Sequence, residues 1–463
     1  MRFPYTNPQR LRFVGVLLAG LSIYCVLPNQ AGAQTETVLY TFAGLSDGGV
    51  PYAGLISDKD GNLYGTTTQY GNGPCTFPFT GCGTIFELMP VNDSGNVQWT
   101  FKLLYTFQGG SDGADPSSDL VFDSSGNLYG TTAWGGTGCE GTGCGTVFEL
   151  ERSGNEWVEK ILYRFTGESD GEDPVGSVTL DSQGDIYGTT AYGGDNTCYF
   201  DNSGPGCGVV FQLSPPGNGE RDTWPETVLH TFEASDGANP YVGVTLAPAK
   251  FCGGTEGTGQ VCIFGTATNG GYGRIEPGGV VFQLVPTETS WTYRMIYEFP
   301  DGCGGPGGPL ILDKSGALYG MAHLGGQFCS GVVFSLQPDA AVAGSWLETN
   351  LYSFTGPGGA FPLYQGLVMD KHGNLYSTTG DGGDSPNCQA GCGTVFRLTK
   401  VPGGGWYESG VYSMQGGADG LRPLSGNVVV SSSGEVYGMT PSGGNLSCTG
   451  FGAGCGVIYR IGP

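Results

Sequence analysis

Short apolar runs alternate with stretches rich in Gly, Asp, Asn and Pro along residues 36–463. Runs of this length that contain Tyr, Phe, Val and Thr, and that turn-forming residues bound, predict β-strands. One of them, Leu-Tyr-Gly-Thr-Thr, returns seven times, with copies that begin at Leu63, Leu128, Ile186, Ile263, Leu318, Leu375 and Val436. Six steps separate Tyr64 from Tyr437, about 62 residues each, and such a regular period predicts stacked supersecondary units.

Each repeat contains four strand-like pieces. Examples are the apolar-Tyr-x-Phe piece at 39–42, the piece before an acidic turn at 54–58, the Leu-Tyr-Gly-Thr-Thr piece at 63–67, and Gly-Thr-Val-Phe-x-Leu at 145–150. An Asp-x-x-Gly-Asn stretch between the second and third pieces suits a tight hairpin, because these residues accept positive φ or bond the local backbone. Seven copies of four strands predict an all-β fold, a seven-bladed β-propeller.

The two ends of the chain predict how the ring closes. The first strand-like piece is of the apolar-Tyr-x-Phe kind, and the last, at 456–460, is of the Gly-Thr-Val-Phe kind. We therefore expect the N-terminal strand to complete a blade whose other three strands come from the C-terminus, which removes free sheet edges. The alternative is an open β-solenoid, which would need capping repeats that the chain does not show.

Residues 1–33 have the pattern of a secretory signal peptide. Arg2, Arg10 and Arg12 precede an apolar stretch, and Ala31-Gly32-Ala33 fits a cleavage site. The apolar stretch is short for a membrane span, which needs about 20 residues. The sequence thus predicts no transmembrane segment, secretion to an extracellular location, and one propeller domain over residues 34–463.

The charge of the chain restricts its partners. The formal net charge is −24, and removal of the three N-terminal arginines makes it −27. Such a surface repels nucleic acid and anionic lipid, because both are polyanions. Acidity is also compatible with a role in solubility alone. We expect a monomer whose partner is a glycan or an extracellular protein.

The cysteine count becomes even once residues 1–33 are set aside. The chain has 15 Cys, and 14 remain without Cys25, an even number that predicts disulfides in an oxidising compartment. Zinc is the competing interpretation, but no Cys-x-x-Cys pair recurs with His partners. We expect seven pairs within single repeats: Cys75–Cys82, Cys139–Cys144, Cys198–Cys207, Cys252–Cys262, Cys303–Cys329, Cys388–Cys392 and Cys448–Cys455.

Three aromatic residues form the candidate ligand site. Tyr70, Trp134 and Tyr192 each follow a Leu-Tyr-Gly-Thr-Thr core, in three consecutive repeats. On adjacent blades of one face they would form a flat arc able to stack on the apolar faces of sugars. The alternative is that each ring covers its own disulfide loop.

Recurring acids suggest a second kind of site. One Asp precedes Gly in six of the seven inter-blade loops: Asp47, Asp112, Asp170, Asp236, Asp301 and Asp419. Such a rim could bind calcium, since carboxylates are hard-cation ligands. Asp-Gly is also a common turn, so we expect structural turns and no resident cofactor, with calcium as the alternative.

No sequence motif identifies a reaction. The chain has no phosphate-binding loop and no His-Glu-x-x-His zinc motif, although paired carboxylates can meet in space rather than in sequence. The leading hypothesis is a secreted, non-catalytic propeller that binds a glycan or protein through the face that carries the disulfide loops. The alternative is a secreted polysaccharide hydrolase or lyase that uses carboxylates near the central channel, so catalysis is left open.

The phrase Gly-Asn-Leu-Tyr-Gly-Thr-Thr, Gly-Gly, Gly-Thr-Val-Phe-x-Leu resembles the bacterial "choice-of-anchor tandem repeat GloVer-containing" family over residues 36–463. This resemblance implies an exported protein, often with a C-terminal sorting anchor. The chain ends at Ile461-Gly462-Pro463, directly after a predicted strand, so release and another surface attachment stay open. The resemblance implies no catalytic residue. The Asp-x-x-Gly-Asn-Leu-Tyr stretch also resembles lactonase-like propellers, at the level of fold.

Overall fold

The computed structural model of the protein describes most of the chain after the predicted signal peptide, residues 1–33, which lies outside it. The described residues are 34–76, 80–93, 96–154, 156–198, 205–217, 224–252, 260–271, 278–300, 304–342, 344–424, 426–448 and 453–462. No helix in these ranges is long and apolar enough to cross a membrane.

Short β-strands make up nearly all the regular structure of the described residues. The strands are β1 (Thr35–Thr41), β2 (Ile56–Ser57), β3 (Leu63–Thr67), β4 (Thr84–Asp93), β5 (Asn96–Thr106), β6 (Val121–Phe122), β7 (Leu128–Thr132), β8 (Thr146–Ser153), β9 (Glu156–Arg164), β10 (Thr179–Leu180), β11 (Ile186–Thr190), β12 (Val209–Leu213), β13 (Glu226–Thr231), β14 (Thr245–Pro248), β15 (Val261–Ala267), β16 (Val280–Pro286), β17 (Trp291–Glu298), β18 (Ile311–Leu312), β19 (Leu318–Ala322), β20 (Val332–Pro338), β21 (Trp346–Ser353), β22 (Val368–Met369), β23 (Leu375–Thr379), β24 (Thr394–Lys400), β25 (Trp406–Ser413), β26 (Val429–Val430), β27 (Val436–Thr440) and β28 (Val457–Gly462). Short 3₁₀ helices occur at Gly110–Asp112, Cys139–Gly141, Ala249–Cys252 and Gly417–Asp419.

These strands form seven four-stranded antiparallel sheets, so the predicted seven-bladed β-propeller is confirmed. Blades 1 to 6 each take four consecutive strands, from β2-β3-β4-β5 to β22-β23-β24-β25, ordered from the inner to the outer strand. Blade 7 has the order β26-β27-β28-β1. β1 pairs with β28 from Thr35 opposite Gly462 to Thr41 opposite Val457, which is the predicted closing clasp.

The Leu-Tyr-Gly-Thr-Thr strands form the buried second layer of each blade, and all five residues of β3 are buried. In most blades the middle residue is a glycine, over which an aromatic ring of the next strand lies, and in blade 6 it is the small Ser377. A Cβ added at Gly65 would lie 2.8 Å from Cζ of Phe86, which is its cross-strand partner. The last threonine hydrogen-bonds across the same pair of strands, with 2.8 Å between Thr67 Oγ1 and Thr84 Oγ1. The repeated phrase therefore encodes packing within a blade.

The Asp-x-x-Gly-Asn stretches form the hairpin turns between the first and second strands of several blades. In blade 1, Asp58 Oδ1 accepts hydrogen bonds from the backbone N–H groups of Asp60 at 2.9 Å and Asn62 at 3.0 Å. Its other oxygen accepts from the Asn62 side chain at 2.8 Å and the Tyr64 hydroxyl at 3.2 Å. The aspartate thus satisfies the turn and links it to the buried strand β3.

The regularly placed tryptophans pack between blades. The Trp99 ring in β5 lies 5.9 Å from that of Tyr437 in β27 of the preceding blade. Trp346 in β21 makes the same contact, at 5.6 Å, with Phe264 in β15. Each pair joins the outer strand of one blade to the second strand of its neighbour, which is the packing role expected from their spacing.

Candidate functional site

The segments that enter the inner strands of the blades converge at the centre of the ring. Around them lies a cavity of about 420 Å³, which we call the central pocket. Every blade contributes a lining residue, from Tyr52 before blade 1 to Gly426 before blade 7. The pocket therefore exists only when the whole ring is closed.

The residue directly before the proline of each entering segment occupies an equivalent position, and we call these seven residues the central ring. They are Val50, Asp115, Asp173, Asn239, Gly305, Phe361 and Arg422. All seven have positive φ, with 59° at Asp115 and 61° at Asp173. This conformation is uncommon outside glycine and is retained only where the surroundings hold it.

Hydrogen bonds to the disulfide loops hold the central ring in place. The N–H of Asp115 donates to the carbonyl of Cys82 at 3.1 Å, and that of Asp173 donates to Cys144 at 3.0 Å. The carbonyl of Asp115 in turn accepts from Ala133 N at 3.0 Å. The first of these bonds recurs at Val50, Asn239 and Arg422, which donate to Cys455, Cys207 and Cys392. Five of the described disulfide loops therefore each hold one residue of the central ring.

Six of the seven expected cysteine pairs are joined in the described residues. They are Cys75–Cys82, Cys139–Cys144, Cys198–Cys207, Cys252–Cys262, Cys388–Cys392 and Cys448–Cys455. Cys329 is also disulfide-bonded, but Cys303, its expected partner, lies outside the described residues. Because these loops are rich in glycine, the covalent links restrict segments that have little core of their own.

Two acids of the central ring, Asp115 and Asp173, are the most unusual groups of the central pocket. Each keeps part of its surface exposed, yet its Oδ1 atom is buried without a hydrogen-bond partner. Burial, and then the negative charge of Asp173, raises the pKa of Asp115 to about 8. Burial, and then the charge of Glu172, raises the pKa of Asp173 to about 7. Protonated carboxyls both donate and accept hydrogen bonds, so the pair can meet ligand hydroxyls in either role.

A third acid of the pocket, Asp119, has a structural role. It is only 7% exposed and accepts hydrogen bonds from Gly54 N, from Asn427 N at 3.1 Å and from Asn427 Nδ2 at 2.8 Å. Burial raises its pKa, and these three bonds oppose that rise. Asp119 therefore joins the segments that enter blades 1, 2 and 7, and its oxygens are engaged by protein donors.

Aromatic rings provide the apolar part of the central pocket, which Tyr52, Trp134, Tyr241 and Tyr364 line. Tyr241 and Tyr364 meet edge to face, with 5.5 Å between ring centroids. Burial raises the pKa of Tyr52, the charge of Asp115 raises it further, and the charge of Arg422 lowers it. Rings and carboxyls thus share one concave site, the usual composition of small-ligand pockets.

The three aromatic residues singled out in the sequence have three different surroundings. Trp134 lines the central pocket. The hydroxyl of Tyr192 lies 2.8 Å from that of Tyr241, which lines the pocket. Tyr70 packs in a core cluster with Cys448 and Cys455 of blade 7.

The recurring aspartates of the Ser-Asp-Gly loops tie each loop to its own outer strand, and we call them the outer clamps. Asp112 accepts hydrogen bonds from the Tyr105 hydroxyl and the Gln108 N–H, both at 2.6 Å. Asp170 accepts from the Tyr163 hydroxyl at 3.1 Å. Asp47, Asp236 and Asp419 make corresponding contacts, with His230 in place of the tyrosine at Asp236, and Asp301 lies outside the described residues.

Calcium binding by the rim of outer clamps stays a prediction. Within the described ranges, no three His, Cys, Asp or Glu residues are grouped so as to hold a metal ion.

Sequence reasoning missed Asp115 and Asp173, although it identified the loops that carry them. The constant Ser-Asp-Gly drew attention, whereas the residue directly before the proline of the same loop differs in kind among the repeats. The available signal was that variation itself: one position, always followed by proline, that reads Val, Asp, Asp, Asn, Gly, Phe and Arg.

Comparison with known families and structures places the chain in a family. The chain belongs to the Gloeobacter/Verrucomicrobia repeat family, whose model matches residues 22–262 and 261–463, which confirms the resemblance seen in the sequence. A comparison with curated protein sequences finds no match.

Several solved structures are similar to the chain at low identity. One is the PQQ-bound aldose sugar dehydrogenase of Streptomyces coelicolor, with 10% identity, TM-score 0.41, and coverage of 93% of this chain and 98% of that one. Another is a gluconolactonase of Xanthomonas campestris, with 13% identity, TM-score 0.38, and coverage of 76% and 87%. At such low identities and TM-scores these structures do not inform the function.

Proposed function

We propose that this member of the Gloeobacter/Verrucomicrobia repeat family is a secreted protein that binds a carbohydrate in its central pocket. One observation carries the proposal: Asp115 and Asp173 present unpartnered carboxyl oxygens in a pocket that aromatic rings also line. A ligand that supplies hydroxyl groups would satisfy these oxygens.

The chemistry of the pocket suits a sugar better than a purely apolar or an anionic ligand. A sugar presents hydroxyls that donate and accept, together with apolar faces that stack on aromatic rings. The carboxyl pair can hydrogen-bond the hydroxyls, and Trp134 and Tyr241 line the same pocket with aromatic rings that suit the apolar face. An anionic ligand would meet unfavourable charge once either carboxyl ionises.

An extracellular location is the second part of the proposal. Six disulfides support it, because such bonds persist in oxidising compartments and are rare in the cytosol. The predicted signal peptide and the acidic composition agree with it. Mass spectrometry of secreted and cell-bound fractions, with the N-terminus of the mature chain sequenced, tests this part directly.

The binding proposal is tested with residues 34–463 on a glycan array, followed by titration calorimetry on the sugars that score. We expect Asp115→Ala and Asp173→Ala each to weaken binding about tenfold or more, near 1.4 kcal/mol. Asp60→Ala is the matched control, since Asp60 is an exposed acid in a turn on the opposite face. Unchanged affinity in both pocket variants would overturn the proposal.

A second candidate function is hydrolysis of a polysaccharide, and the presence of two carboxyls with unpartnered oxygens in one pocket favours it. Glycoside hydrolysis uses one carboxyl as an acid and another as a base or nucleophile. Asp115 and Asp173, with pKa values of about 8 and about 7, are the pair available in the pocket. A reducing-sugar release assay between pH 5 and 9 decides: release that Asp115→Asn and Asp173→Asn abolish supports hydrolysis, and binding without release rejects it.

A further inference from the structure

A second cavity adjoins the central pocket on the face that carries the disulfide loops. It measures about 500 Å³, and Thr68, Asp115 and Trp134 line both cavities. We call this second cavity the outer groove. Because the two cavities share three lining residues, a ligand in the central pocket can continue into the groove without leaving the protein surface.

Two disulfide loops form the walls of the outer groove. The Cys75–Cys82 loop of blade 1 supplies Pro74 and Thr76, and the Cys139–Cys144 loop of blade 2 supplies Thr142. Backbone bonds tighten both loops, from Gly81 N to Cys75 O at 2.8 Å and from Thr142 N to Cys139 O at 3.2 Å. These bonds and the two disulfides restrain the described residues that line the groove, which lowers the ordering cost of binding.

The described residues that line the groove are mostly polar and nearly uncharged. Among the described residues that line it, Asp115 is the one with an ionisable side chain other than cysteine. Thr76, Gln108 and Thr142 are exposed and offer hydroxyl and amide groups, while Trp134 and Pro74 offer apolar surface. This mixture suits a neutral chain that has both hydroxyls and apolar faces.

We infer that the central pocket and the outer groove form one extended site for a neutral oligosaccharide. One end of the chain lies in the pocket beside Asp115 and Asp173, and the following units cross Trp134 and run between the two disulfide loops. The inference rests on the proposed function and adds the size and direction of the ligand. Each cavity lies within the range of about 300–1,000 Å³ that single small-ligand sites occupy, so together they hold more than one sugar.

The first experiment measures affinity against chain length. Ladders of one to six units, from glucose to maltohexaose, glucose to cellohexaose and xylose to xylohexaose, are titrated into residues 34–463 by calorimetry. For a ladder that binds, we expect affinity to rise about tenfold or more from the monosaccharide to the longer members and then to level off. The plateau marks the unit at which the chain leaves the groove.

The second experiment blocks the groove with a large side chain. Thr142→Trp fills it from the blade 2 wall, and Gln108→Trp fills it from the segment between blades 1 and 2. Each variant should keep the affinity for the monosaccharide and lose the gain with length. Two variants on different segments keep the test valid if one of them fails to fold, which circular dichroism and the melting temperature report.

The matched control is Ala390→Trp. Ala390 is exposed, stands two residues before the last cysteine of the blade 6 loop as Thr142 does in blade 2, and lies away from the groove. It should leave the whole length profile unchanged. Affinity that does not depend on length, or a length gain that survives both blocking variants, overturns the groove and leaves the pocket intact. A ladder of any other sugar that scores on the glycan array is titrated in the same way. Failure of every ladder together with an array on which no sugar scores overturns the proposed function and the groove with it.

Discussion

Two aspartates three positions apart in one loop differ in every respect that matters for function. Both oxygens of Asp112 receive hydrogen bonds, from the Tyr105 hydroxyl and the Gln108 N–H, and they join the loop to its own blade. Asp115 lies at the centre of the ring, with one oxygen unpartnered and a pKa raised to about 8. The pair Asp170 and Asp173 repeats the contrast in blade 3. The outer clamp, which recurs among the repeats, is therefore structural, whereas the central-ring acid, which varies among them, can contact a ligand.

The largest effect is expected from removal of an outer clamp. Asp170→Ala deletes the acceptor of the Tyr163 hydroxyl, the Thr166 N–H and the Thr166 hydroxyl in a nearly buried position. A hydrogen bond to a charged group contributes about 1.5–3 kcal/mol. Thr166 is exposed and Tyr163 is partly exposed, so water replaces much of what the three donors lose, and we expect the free energy of unfolding to fall by about 2–3 kcal/mol. Chemical denaturation monitored by tryptophan fluorescence measures the change.

Asp173→Asn is the control for that measurement, because it alters the central-ring acid of the same loop and keeps the shape of the side chain. At pH 5 it should change stability little. A loss of less than about 0.5 kcal/mol for Asp170→Ala, or an equal loss for both variants, would remove the distinction between the two acids.

The next largest effect that we expect is a dependence of stability on pH, which arises from Asp115. A carboxyl with a raised pKa binds its proton more tightly when folded, so its contribution is fully present below the unfolded value of 3.8 and is lost as the pH rises through about 8. The limit is about 1.4 kcal/mol per pH unit for one group, and partial exposure reduces it.

Asp115→Asn cannot ionise, so it should match the wild type near pH 4 and be more stable than the wild type at pH 9. Melting temperatures across that range, measured on both proteins, give the two slopes. Parallel slopes would show that Asp115 titrates normally and would weaken the contrast with Asp112.

A comparison of Trp134 with Tyr70 extends the contrast to the aromatic residues that follow the second strand in consecutive blades. Trp134→Ala should weaken binding of a sugar ligand about tenfold, since the ring lines both cavities. Tyr70→Ala should lower the melting temperature and leave affinity unchanged, since its ring packs against the cysteines of blade 7. Calorimetry measures the affinity, and thermal unfolding measures the stability. Loss of affinity in Tyr70→Ala but not in Trp134→Ala would contradict a ligand beside Trp134.

The smallest effect is expected from the third aromatic residue. Tyr192→Phe removes the hydroxyl partner of Tyr241 but keeps the ring, so affinity should fall only about threefold, near 0.6 kcal/mol. Tyr187→Phe is the control, because the Tyr187 hydroxyl bonds Asp181 in a turn on the opposite face. An equal loss of affinity in the two variants would point to a general effect on blade 3.

The fold could be predicted because the repeated residues serve needs that lie within one blade. Gly65 lies under Phe86 and Asp58 caps its own turn, so most copies show the same requirement in the sequence. The central pocket could not be predicted in this way. Its residues meet only when seven segments converge, as when Asp119 accepts a hydrogen bond from Asn427, 308 positions away.

The aromatic candidates show the same limit of sequence-based prediction within neighbouring repeats. Ala114 pairs with Trp134 and Gly49 pairs with Gln69, so Tyr70 lies one residue beyond the blade 1 equivalent of Trp134. Trp134 lines the central pocket, whereas Tyr70 packs against a disulfide of the neighbouring blade. A shift of one residue after the second strand therefore changes what a ring contacts. A single repeat therefore carries the information for a blade but not for the site.

The pairing of β1 with β28 has a consequence for how the ring can be cut. Thr35 lies opposite Gly462 in an antiparallel pair, so the two ends of the ring occupy the positions that a hairpin turn would join. A short peptide between them would make the backbone continuous, and new termini could then be opened in any turn of the Asp-x-x-Gly-Asn kind. Such circularly permuted proteins would contain the same seven blades but would begin at a different one, so any blade of the ring could come first in the sequence.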